Sequence, residues 1–225
     1  MKYSLPTNEV SAQNQLALVK IYVQKSGRER QTVRIDEIKA LSPVKSDRIS
    51  KCHRFLVDVG LLIKEGHSYK PSEDAVRISE YLADENDFAV QESLRTLIAR
   101  SWFGRFVEEL LRLVGSISRE SLIERLLISA QVPDVDLNRE KAGVLIDWLL
   151  MATFIQKDSN GGFILSGTPL SQDGEYTGGL GKAKVDLGNE GEQNIKLNVT
   201  IEVSLSELDQ ELRSEIVKLI KQKLR

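Results

Sequence analysis

Lys45-Ser46-Asp47-Arg48-Ile49-Ser50-Lys51-Cys52-His53-Arg54-Phe55-Leu56-Val57-Asp58-Val59-Gly60, continuing through Leu61-Leu62-Ile63-Lys64, Glu65-Gly66-His67-Ser68 and Tyr69-Lys70-Pro71, is the stretch on which the fold turns. Ile49, Cys52, Phe55, Leu56 and Val59 recur at helical spacing and predict a helix from about Lys45 to Val59 with one apolar stripe. Gly60 ends it, because glycine adopts the left-handed turn that closes helices. Two short β-favouring runs around a Gly-containing turn then predict a small hairpin.

Working upstream, Leu16, Val19, Tyr22 and Val23 predict a helix that begins near Ser11 and stops at Gly27. Thr32 to Ile35 is short and β-favouring, Asp36 is placed to cap a brief helix through Leu41, and Ser42-Pro43 breaks it. Downstream, a helix is expected from Ser72 or Glu73 to Leu82. The same order then recurs. After a connecting helix at about Asp87–Arg100, helices are predicted at Trp102–Val114, from a Ser118 cap to Val132-Pro133, and at about Asn138–Thr153, with Ile117 as a short strand. Phe154–Lys157 and Phe163–Leu165 flank a second Gly-rich turn. The two units superpose in sequence: Phe55-Leu56 on Trp148-Leu149, Gly60-Leu61-Leu62 on Thr153-Phe154-Ile155, and Tyr69 on Phe163.

Of the 15 glycines, nine fall between Asp158 and Asn194, and the polar segment there reads as a connector. Beyond it, Ile195, Leu197, Val199, Ile201, Val203 and Leu205 alternate with polar residues, the cleanest strand pattern in the chain. Leu208, Leu212, Ile216, Leu219 and Ile220 then line one face of a last helix, capped by Ser206 with Asp209. A strand of that length needs a partner for its backbone groups: its counterpart in a second copy, which would make a homodimer through residues 195–225, or Lys184–Leu187 of the same chain, or another protein.

Helix, short strand, helix, turn, helix, hairpin is an order that resembles the winged helix-turn-helix superfamily, here in two tandem copies. The resemblance implies a mainly α chain with small β hairpins, an α+β class. It divides the chain into winged-helix units at 10–85 and 87–167, a linker at 168–194 and a strand–helix tail at 195–225. The organisation also resembles uncharacterised prokaryotic tandem winged-helix proteins with such a tail. In the superfamily the third helix enters the major groove and the hairpin wing touches the backbone.

Charge distribution agrees with one reading unit. The whole chain carries 31 Lys and Arg against 33 Asp and Glu. Residues 10–72 hold 12 against 6, whereas 73–225 hold 18 against 26, and the first nine residues cancel. On the first unit Lys45, Ser46, Arg48, Lys51 and Arg54 form the expected DNA-binding face of the third helix. Arg28, Arg30 and Arg34 are placed for phosphates, and Lys64, His67 and Lys70 for the wing. The second unit exposes Arg139, Glu140, Lys141 and Asp147, a mixed face better suited to a protein partner.

No catalytic pattern accompanies this. Gly178-Gly179-Leu180-Gly181-Lys182 fails the phosphate-loop spacing, and Ala183 stands where a magnesium-binding hydroxyl is needed. Cys52 and His53 are adjacent and so point about 100° apart on a helix. One cysteine and two histidines supply neither a disulfide nor a metal centre, and no apolar run approaches a membrane span. The expectation is a cytoplasmic, non-enzymatic DNA-binding protein without cofactor, a transcriptional regulator or nucleoid-associated factor. The alternative is a protein-docking scaffold, such as an accessory subunit of a chromosome-organising complex.

Overall fold

The computed structural model describes residues 3–167; the linker at 168–194, with its glycine cluster, and the tail at 195–225 lie outside the described residues. Among the described residues the chain is mainly helical, with eight helices and two small antiparallel strand pairs. The first half runs α1 (Ala12–Ser26), α2 (Ile35–Ile38), α3 (Ser46–Asp58), β1 (Leu62–Glu65), β2 (Ser68–Pro71) and α4 (Glu73–Ala83). The second runs α5 (Asp87–Arg100), α6 (Trp102–Val114), α7 (Arg119–Ala130), α8 (Asp136–Met151), β3 (Ile155–Lys157) and β4 (Phe163–Leu165).

Serine starts four of these helices. The hydroxyls of Ser11, Ser72, Ser101 and Ser118 accept from the backbone N–H groups of Asn14, Ala75, Gly104 and Ser121, satisfying donors that have no partner inside the helix. Two starts differ from expectation. α2 begins at Ile35, one residue before Asp36, because the Glu37 carboxylate reaches back 2.6 Å to the Arg34 backbone N–H. α8 begins at Asp136, two residues before Asn138, whose amide instead donates to the Pro133 carbonyl at 2.9 Å.

The internal repeat holds at the level of individual hydrogen bonds. After α3, Leu61 N–H donates to the Leu56 carbonyl; after α8, Phe154 N–H donates to Leu149, in both cases at 2.9 Å. Val33 exchanges backbone hydrogen bonds with Tyr69, and Ile117 does so with Phe163, adding one bridging residue to each hairpin. Ser72 N–H closes onto Leu61, and Ser166 N–H closes onto Phe154, both at 3.1 Å. The turn that aims each hairpin needs positive φ, which Gly60 supplies at 88° and Thr153 at 47°.

The halves share one core. Phe55 of α3 packs against Phe103 of α6 at 6.1 Å and Trp148 of α8 at 5.7 Å between ring centroids. At the junction sits Gln15, fully buried on α1. Its amide donates to the carbonyls of Val10 (2.8 Å) and Thr7 (3.4 Å), and its Oε1 accepts from the Trp148 indole at 3.4 Å. One side chain thus fastens the N-terminal segment to α1 and α1 to the second half.

Two stability tests follow from this packing. Thr153 is β-branched in a left-handed conformation, so Thr153→Gly should stabilise the fold by about 1 kcal/mol, seen as a raised melting temperature. Gln15→Leu strands two buried carbonyls and an indole N–H and should cost roughly 1–3 kcal/mol, read as a lowered urea midpoint. An unchanged midpoint would show that Gln15 fastens nothing.

Candidate nucleic-acid interface

α3 buries Ile49, Cys52, His53, Phe55 and Leu56 and leaves Ser46, Asp47, Ser50, Lys51, Arg54 and Asp58 exposed. Ser46, Ser50 and Arg54 are four residues apart and line one open face, with Lys45 exposed at its start. Pleating decides which hairpin residues share that side. Lys64 is paired with Tyr69, and the Tyr69 ring stacks on His53 of α3 at 3.9 Å. Ile63 is paired with Lys70, and both belong to the opposite face. There Arg30, Ile63, Glu65, Lys70, Glu73, Asp74, Arg77 and Arg100 line a cleft of about 450 Å³. Arg30 is held by Glu73 at 3.1 Å.

The expected site residues therefore fall into separate groups. Lys45 at the start of α3, Ser46, Arg48, Lys51 and Arg54 on it, and Lys64 on the adjoining hairpin face form one. Arg30 and Lys70 sit in the cleft with three carboxylates. Arg28 and Arg34 are exposed before α2, and His67 is exposed at the hairpin tip.

Glu9, which the local pattern did not single out, changes the electrostatics of α3. Its carboxylate forms ion pairs with Lys51 Nζ and with Arg48 Nε, the latter at 3.1 Å but poorly angled for a hydrogen bond. Arg48 also donates to the Glu9 backbone carbonyl at 3.3 Å. The segment carrying Glu9 runs along α3, where the Ser4 hydroxyl donates to the Asp58 carboxylate. It also meets the second half: Tyr3 stacks on Trp102 at 4.7 Å, and Asn8 donates to Glu140 at 2.6 Å. Among the described residues, Lys45, Arg54 and Lys64 have no carboxylate within ion-pairing distance.

Behind this face lies a polar cluster that seats α3. His53 is buried, and its Nε2 is 2.7 Å from the Tyr22 hydroxyl of α1. Burial lowers the imidazole to about 4, only partly offset by the Ser50 backbone, and pushes the Tyr22 hydroxyl upward. His53 is thus neutral, braced between α1 and the hairpin. Cys52 is also buried, and desolvation pushes its thiol up to about 12, so it is an inert core residue and no nucleophile.

The corresponding site of the second half has a different surface. Ile128 near the end of α7 and Val135 and Leu137 at the start of α8 are exposed, and Asp134 and Asp136 lie between them in sequence. Arg139 is taken by Asp134 at 2.6 Å and Glu124 at 3.4 Å, and its hydrogen bond holds the Asp134 carboxyl below its usual range.

Among the described residues no group of three His, Cys, Asp or Glu is placed to hold a metal ion, and no helix is long and apolar enough to cross a membrane. No protein-family model, curated protein or solved structure matches the chain.

His53 makes stability pH-dependent. Its folded value of about 4 lies below the ordinary 6.5, so the unfolded chain takes up the proton first. Stability should be level above pH 6.5 and fall as pH drops towards 4, by up to about 3 kcal/mol from this group. Urea midpoints measured from pH 8 to 4.5 test this; His53→Gln should flatten the part of the fall that begins near 6.5.

Proposed function

We propose that the chain is a tandem winged-helix protein that binds DNA through its first half, as a transcriptional regulator or nucleoid-associated factor. The observation that carries this reading is the open face of α3. Lys45, Ser46, Ser50 and Arg54 stand exposed on one side, with Lys64 on the hairpin face that meets the same helix. A helix with cations and hydroxyls on its free side suits a major groove, and a flanking lysine suits the adjoining phosphates. Asp47 and Asp58 lie exposed on the same helix and repel phosphate, which limits the affinity to what few contacts provide. Arg30 and Lys70 are assigned no part in this interface, because they line the cleft on the hairpin's other face.

The second half supports a different role. α8, the helix that corresponds to α3, begins with apolar and acidic side chains where a DNA reader carries cations. Exposed Ile128, Val135 and Leu137 favour a protein partner there, and a chain that binds only proteins is the second reading.

Fluorescence anisotropy with a short labelled duplex separates the two. Wild type should bind at low salt, with affinity falling as salt rises. Lys45→Ala with Arg54→Ala should weaken binding at least tenfold, as expected where an arginine contacts a base or phosphate. Wild type that shows no binding at 20 mM salt, about the gentlest condition for phosphate contacts, would leave the protein-docking reading in its place.

A further inference from the structure

We propose that Arg48 and Lys51 form an anion site on α3 that Glu9 occupies in cis, so that Glu9 sets how strongly the protein holds DNA phosphate. This rests on the DNA-binding reading of α3. The site consists of two cations converging on one carboxylate. Lys51 Nζ pairs with one oxygen of Glu9, Arg48 Nε lies 3.1 Å from the other, and Arg48 also reaches the Glu9 carbonyl. A phosphate diester offers the same pair of anionic oxygens and suits an arginine beside a lysine.

Glu9 is in place because of its neighbours. Gln15 holds the carbonyls of Thr7 and Val10 on either side of it, and the Thr7 and Val10 side chains are buried. The backbone at Glu9 is therefore fixed, while its side chain remains 33% exposed. Release needs only a rotation of that side chain, not detachment of the segment. Lys51 and Arg48 are themselves 49% and 38% exposed, so an incoming phosphate has access to Lys51 and to the outer part of Arg48, while the Arg48 Nε that faces Glu9 is buried until that side chain turns away. Ion pairs this exposed are weak, and phosphate competes with the carboxylate on near-equal terms. With Glu9 engaged, α3 offers Lys45 and Arg54 alone; without it, the same helix offers four cations.

The test is duplex binding by the full chain, wild type against Glu9→Gln, from about 20 to about 200 mM salt. Glu9→Gln should raise affinity about three- to tenfold at about 100 mM salt and steepen the dependence of log K on log salt by about one to two, one for each additional phosphate neutralised. Arg48→Ala with Lys51→Ala should abolish that increase in the Glu9→Gln background and weaken the wild type by a smaller factor. Binding by wild type that Glu9→Gln leaves unchanged in affinity and slope overturns this proposal and leaves the DNA reading intact. Absence of binding by both proteins at the lowest salt overturns both. A thermal melt confirms that each variant is folded, and Glu9→Ala replaces Glu9→Gln if the latter is not.

Discussion

Gln15 is the constraint on which the described part of the molecule depends. A buried amide must satisfy its hydrogen bonds or bear the cost of being withdrawn from water. Here it does so by holding Thr7 and Val10 on one side and Trp148 on the other. The consequence reaches α3. Fixing the backbone on both sides of Glu9 places its carboxylate within reach of Arg48 and Lys51, so a polar bond in the core bears on the charge presented at the surface.

The two halves show how one chain path supports unlike surfaces. Their hairpins, bridging residues and helix-ending turns match bond for bond because each is built from backbone groups and a few apolar side chains. Thr153 even accepts the backbone conformation that glycine takes at the equivalent position, at an energetic cost. What differs is the outward face of the third helix, where side chains are free of the packing requirement. One is cationic with hydroxyls; the other has Asp134 and Val135 just before the helix and Asp136 and Leu137 at its start. The path from α3 through its hairpin and from α8 through its own is common to both halves, and the outward faces of the two helices are where their side chains differ.

Much of the architecture was legible in the sequence. Helical periodicity placed α5 and α6 at the residues where they occur and put the starts of α1 and α4 near Ser11 and Ser72, and the Ser118 cap marked α7. The exposed side of α3 followed from its apolar stripe. α2 has Arg34 rather than Asp36 at its cap, where Glu37 reaches back to the backbone N–H, and it stops at Ile38 rather than Leu41; α8 starts two residues early, with the Asn138 side chain turned to the Pro133 carbonyl. His53 carried no signal of its own beyond lying next to Cys52; its partners Tyr22 and Tyr69 come from two other elements. Lys64 and Lys70 both looked like wing residues, and only the strand register separates their faces.

Glu9 was the residue hardest to foresee. It belongs to a charge-neutral run of nine residues and meets Lys51 from 42 positions away. The sequence by itself determined the order of elements and the apolar face of each helix, because hydrophobic periodicity acts over neighbouring residues. Tertiary structure alone decided which cations are free and which are already paired, because an ion pair depends on groups that only folding brings together.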